Sequence, residues 1–174
     1  MRASFFALAL SLVACGSREP PPASSEPAPA ATHAAAPPLV GVVTREQVLA
    51  TFPEWEAAFQ KATLDPAQAL ALARVPPGAR VDLYFGTWCP DSRREVARLW
   101  KALDHAGSVP FTVRLIAVDR QKHAPEVSPE LNLQRVPTFV VLRGGHEVGR
   151  IVEHAPADIE TELGALLRID LARP

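Results

Sequence analysis

Cysteine is scarce in this chain, with only Cys15 and Cys89 among 174 residues. A framework of several disulfides is therefore excluded. An excess of one charge is lacking as well. Eighteen Lys and Arg stand against 19 Asp and Glu, a formal net charge of −1. Nothing in that balance points to nucleic acid or to a polybasic membrane patch. Long apolar runs are also missing. The stretch Ala3 to Val13 is far too short to span ~30 Å of hydrocarbon as a helix.

That stretch does fit a secretory signal: one Arg near the start, an apolar run, then small residues. Its end, "LVAC" at Leu12–Cys15, resembles a bacterial lipobox. The resemblance implies cleavage after residue 14 and lipidation of the Cys15 thiol. Several buried acyl chains anchor a protein stably without a spanning helix. Gly16 follows, where an Asp would signal retention at the inner membrane, so the outer membrane is the expected address. If Cys15 is lipidated, Cys89 is the one free thiol, and no internal disulfide forms even in an oxidising compartment.

Residues 16–38 hold seven of the 18 prolines among Ala and Ser. With almost nothing to bury, they are expected to form a disordered, locally extended tether, reaching on the order of 70 Å at full stretch. A single domain follows, over residues 39–174.

Its elements are legible from punctuation and period. Thr44 and Gln47 have capping-box spacing before a helix that Pro53 should break or kink. Asp65, Pro66 and Gln68 mark a second helix start. "PPGA" at Pro76–Ala79 is a turn, and "RVDLYF" alternates as a strand with Val81, Leu83 and Phe85 on one face. From Pro90 the pattern becomes helical, with Val96, Leu99, Trp100 and Leu103 as the apolar stripe. Phe111–Asp119 reads as a strand, buried on both faces in its second half. "TFVVLR", Gly144-Gly145 and "HEVGRIVE" read as a hairpin, and Pro156 as the opening of a last helix. A crossover through the helix after Pro90 implies a parallel first strand pair, and the hairpin adds antiparallel strands. The expected fold class is α/β, a mixed sheet with helices packed on it.

"GTWCPDSRREV" followed by "RVPTFVVL" about 47 residues later is similar to the thioredoxin fold, over roughly Val81 to Leu167. More narrowly, it resembles bacterial thioredoxin-like proteins with Cys-x-Asp-Ser in place of Cys-x-x-Cys. The resemblance implies that Cys89 sits at a helix N-terminus. It also implies that Val136–Pro137 is a cis bond whose backbone faces the sulfur. Val136 could then pair with an extended substrate, while the Pro137 ring keeps metals away. Trp88 could line the substrate groove. Helices ahead of the first strand are a common addition to the fold.

The chemistry of Cys89 follows from its setting. Unpaired N–H groups and the partial positive charge of a helix N-terminus stabilise a thiolate. Arg93 and Arg94 in the first turn would add to this, and Ser92 is placed to donate a hydrogen bond to it. Asp91 opposes ionisation. Ser92 cannot resolve a mixed disulfide, so an adduct at Cys89 leaves only by attack of an outside thiol. Net dithiol reduction within one molecule is excluded. Disulfide isomerisation, removal of a thiol cap, and peroxide reduction through a sulfenic acid stay open. The buried acid found in many thioredoxins six residues before the active cysteine is replaced by Leu83, with Asp82 on the other face of the strand.

No cofactor is expected, and no metal site. Asp119 and His123 are four apart, but His123 reads as a solvated loop residue, and the other histidines lack ligand spacing. Trp55 and Trp100 read as core. Two functions compete. One is a tethered monothiol acting on envelope protein or small-molecule disulfides with an external thiol reductant. The other is a redox-inactive module that keeps the groove for a protein or peptide partner.

Overall fold

In the computed structural model, residues 36–169 are described. The expected signal segment, Cys15 and nearly all of the expected tether lie outside them. Five strands form one sheet in the order β1-β3-β2-β4-β5. These are β1 (Gly41–Val43), β2 (Ala79–Phe85), β3 (Thr112–Ala117), β4 (Thr138–Arg143) and β5 (His146–Val152). β2 runs parallel to β3, and the other three pairings are antiparallel. The sheet is mixed, as the crossover and hairpin required.

Five α-helices accompany it: α1 (Arg45–Thr51), α2 (Glu54–Lys61), α3 (Pro66–Leu72), α4 (Pro90–Ala106) and α5 (Ile159–Leu167). The Thr44–Gln47 capping box forms in both directions. Pro53 ends the first helix and precedes a second, because it has no N–H to give. Asp65 caps α3 through the N–H groups of Ala67 and Gln68. All five helices contribute to one buried cluster with Val81, Leu83 and Phe85 from β2, so they cover one face of the sheet. Trp55 is fully buried there, its ring 5.5 Å from Phe85 and 5.8 Å from Trp100.

Among the described residues no α-helix covers the other face. The connection from Val118 to Pro137, with one 3-10 turn at Pro129–Leu131, lays Ala124, Val127, Leu131 and Leu133 against Tyr84, Ile116 and Val140. β2 is therefore buried on both faces along most of its length.

Three expectations change. β1 was not foreseen; it is a three-residue edge strand defined by pairing with β3, Gly41 opposite Ala117. β3 is shorter than Phe111–Asp119 and spans Thr112–Ala117. The last helix starts at Ile159 behind Asp158, and Pro156 belongs to the turn before it. The hairpin turn is as read: Gly144 and Gly145 have φ of 58° and 84°, the left-handed pair that a two-residue turn needs.

Candidate active site

β2 ends at Phe85 and the chain turns through Gly86, Thr87 and Trp88. The N–H of Cys89 closes that turn on the Gly86 carbonyl at 3.0 Å. Cys89 is extended (φ −95°, ψ 122°) and is the N-cap of α4. Pro90 takes the first helical position, where its fixed φ suits the helix. Arg93 N–H then bonds the Cys89 carbonyl at 3.0 Å and the helix runs on. The sulfur thus lies at the N-terminus of a 17-residue helix, and Cys89 as a residue is 8% exposed.

Its neighbour comes from the segment that leads into β4, the strand beside β2. The Val136–Pro137 bond is cis, and the Cys89 thiol donates to the Val136 carbonyl, Sγ to O 3.5 Å. The segment is held on both sides. Thr138 Oγ1 donates to the Arg135 carbonyl at 2.7 Å, and Glu153 N–H donates to the Pro137 carbonyl at 2.7 Å. Cys89 and Val136 share a buried cluster with Tyr84, Ile116, Val118 and Val140.

The other foreseen residues divide. Ser92 is fully buried, and its Oγ accepts from Gly86 N–H at 3.1 Å. That bond fastens α4 to the end of β2. Asp91 is held by Arg94 at 2.7 Å. Arg93 points away towards α2, 3.9 Å from Glu54. Trp88 is half-buried. Its Nε1 donates to the Val118 carbonyl at 3.0 Å, and the Arg120 guanidinium lies 5.3 Å from the ring centre. Leu83 joins the helix-side core, while the Asp82 carboxylate, on the opposite face, sits 2.9 Å from Arg80 and 3.6 Å from Arg114. His123 Nδ1 is 3.9 Å from its own turn partner Asp119, with the side chain 79% exposed. Among the described residues no three His, Cys, Asp or Glu side chains cluster as metal ligands.

Four neighbours of the site were missed. Gly86 is one, since the Trp88 ring occupies the space where a Cβ would go. Thr87 is buried, and its Oγ1 accepts the Leu39 N–H at 3.3 Å, which fixes the start of the domain beside the thiol. Tyr84 is nearly fully buried, and burial together with the Asp82 charge pushes its phenol up from the usual tyrosine range. Glu95 is fully buried in α4 and holds Arg94 and Arg98. Only Gly86 left a sequence signal, a glycine between the strand and the aromatic.

A strand, a cysteine at the following helix N-terminus and a cis-proline opening the next strand across from it are the arrangement that the resemblance implied. The fold is thioredoxin-like. No family model matches the chain, and neither does any curated protein. Solved structures do. An HIV epitope-scaffold is 19% identical, with 74% of this chain and 84% of that one covered at a TM-score of 0.51. A Pseudomonas aeruginosa protein of unknown function is 20% identical over 74% of this chain and 80% of that one, TM-score 0.44. A Fasciola hepatica thioredoxin is 24% identical over 52% of this chain and 80% of that one, TM-score 0.38. At such identities the likeness concerns the fold alone. Within the thioredoxin-like fold this chain adds α1, α2 and α3 ahead of β2.

Proposed function

We propose that the protein is a membrane-tethered, extracytoplasmic monothiol of the thioredoxin-like kind. Cys89 thiolate attacks one sulfur of a substrate disulfide. The Cys89–S–S–R bond forms, the substrate S–S bond breaks, and the other half leaves as a thiolate that takes up a proton. With Ser92 where a second cysteine would stand, an external thiol completes the cycle by attacking the adduct. Substrates are envelope proteins or small-molecule disulfides. The observation that carries this reading is the Cys89 sulfur at the head of α4, 3.5 Å from the Val136 carbonyl. Val136 and Pro137 border the substrate path, with Trp88 beside it. Asp91 and Arg93 are first-turn charges of α4, the one held by Arg94 and the other turned towards Glu54 of α2. No cofactor is needed for this exchange. Anchoring through a lipid on Cys15 rests on the lipobox resemblance, as does the outer-membrane address.

A second reading has its own support. Cys89 is only 8% exposed and Ser92 accepts from Gly86 N–H, which suits a module that binds a peptide in the groove without redox chemistry.

The full chain carrying Cys15→Ser has one thiol. Mixed to react with hydroxyethyl disulfide, it should form an adduct at Cys89 faster than an unstructured cysteine peptide does, and added thiol should release it. A rate at or below that of the peptide removes the enzyme reading. Capture of an envelope partner that survives Cys89→Ala establishes the second. Loss of acyl labelling in Cys15→Ser tests the anchor.

A further inference from the structure

A concavity of about 420 Å³ lies between the end of α2 and the first half of α4. Its α4 wall begins at Pro90, the residue after the thiol, and continues through Arg94 and Arg98 on one helical stripe, with Arg93 beside them. From Pro90 to Arg98 the rise along the helix is about 12 Å. Lys61 faces them from α2, where Ala58 and Ala62 leave room. Four cations thus line a hollow of small-molecule size, and none of its lining residues is acidic.

Carboxylates stand at its margins and do not use up the donors. Glu95, fully buried, takes one bond from Arg94 and one longer contact from Arg98 at 3.4 Å, and so acts as a strut beneath them. Asp91 takes a second bond from Arg94. Glu54 approaches Arg93 only to 3.9 Å. Lys61 has no ion pair among the described residues. Arg93 comes no closer than 3.9 Å to a carboxylate and Arg98 no closer than 3.4 Å, so both, with Lys61, retain N–H groups for an anion.

We infer that this groove holds a carboxylate arm of a small-molecule disulfide while its sulfur meets Cys89. The inference rests on the monothiol reading and adds the substrate class: compact, anionic, with an acid group a few bonds from the sulfur. The groove is built by α2, one of the helices added ahead of β2, so these helices gain a role in substrate choice.

Three disulfides of similar size and different charge test it: dithiodipropionate, hydroxyethyl disulfide and cystamine. In each case Cys89 thiolate forms the mixed disulfide and one half leaves as thiolate. With the full chain carrying Cys15→Ser, the dianion should react about tenfold faster than the neutral compound at low salt, and the dication slowest, with the spread shrinking as salt screens it. Lys61→Ala should cut the anion-to-neutral ratio to about threefold or less, since each exposed charge contributes modestly, and should leave the neutral rate unchanged. Lys61→Glu should cut it further. The α4 N-terminus also attracts anions, and it is common to all these variants, so their difference isolates the groove. A ratio that survives both variants, or an anion no faster than the neutral compound, overturns the inference. If Cys89 reacts with none of the three, the monothiol reading has failed. The groove is then read by titrating thiodipropionate, which has no exchangeable sulfur, into the Cys89→Ser protein. Saturable binding lost in Lys61→Ala with Arg93→Ala supports the anion site, and no binding overturns it.

Discussion

The Trp88 ring lies over Gly86 so closely that a Cβ on Gly86 would come within 2.5 Å of it. The indole cannot simply swing away without losing its bond to the Val118 carbonyl. The residue before the thiol is therefore clamped between a glycine below and a strand end beside it.

Gly86→Ala should displace the indole and lower stability by about 1–3 kcal/mol, the usual cost of overfilling a close contact. Denaturant unfolding measures the loss. A change in the quenching of Trp88 by a soluble quencher, referenced to a Trp88→Phe variant, shows where the ring has gone. Unchanged stability and quenching would mean that the clamp is not there.

Ser92→Ala removes the acceptor for a buried N–H. Gly86 N–H would be left without its partner, at about 1–3 kcal/mol. The same substitution should change the reaction of Cys89 with hydroxyethyl disulfide far less than stability, because the bond that Ser92 makes in the structure is to Gly86. A collapse of the rate with stability intact would return Ser92 to the role of thiolate donor.

Tyr84 is the chain's one tyrosine, so tyrosinate absorbance has a single source. Burial, and then the Asp82 carboxylate, hold its phenol above the ordinary range. The ionised form is thus disfavoured in the folded state. Stability linked to this group is complete below the unfolded value of about 10 and is lost as pH rises through the folded one. An alkaline absorbance titration should show the late transition, and Asp82→Asn should move it down. A transition at the unfolded value in the native protein would contradict the burial of Tyr84.

Anion preference at the α2–α4 groove supplies a fourth test, through the charge series and the Lys61 and Arg93 variants.

Local rules made much of this legible. α4 declares itself by Pro90 and the spacing of Val96, Leu99 and Trp100, and the hairpin by Gly144-Gly145. β1 does not, because "GVV" is too short for a period and becomes a strand only through β3, more than 70 residues away. Pro156 misled because two start signals lay close together, and the one with a cap-like extended backbone, Asp158, took the helix. At the site, Cys89 and Val136 were found through the resemblance. The bond that Ser92 accepts from Gly86 N–H was not foreseen, since that partner depends on how Gly86 is carried past the end of β2. The basic groove was invisible for a similar reason: Lys61 and Arg98 are 37 positions apart and meet only when α2 docks on α4.

The bond from Leu39 to Thr87 has a mechanical consequence. Gly41 pairs with Ala117 at the end of the sheet where the thiol lies, so the backbone enters the domain there. Any pull on the chain upstream of Leu39 is delivered beside Cys89 and not at the opposite pole.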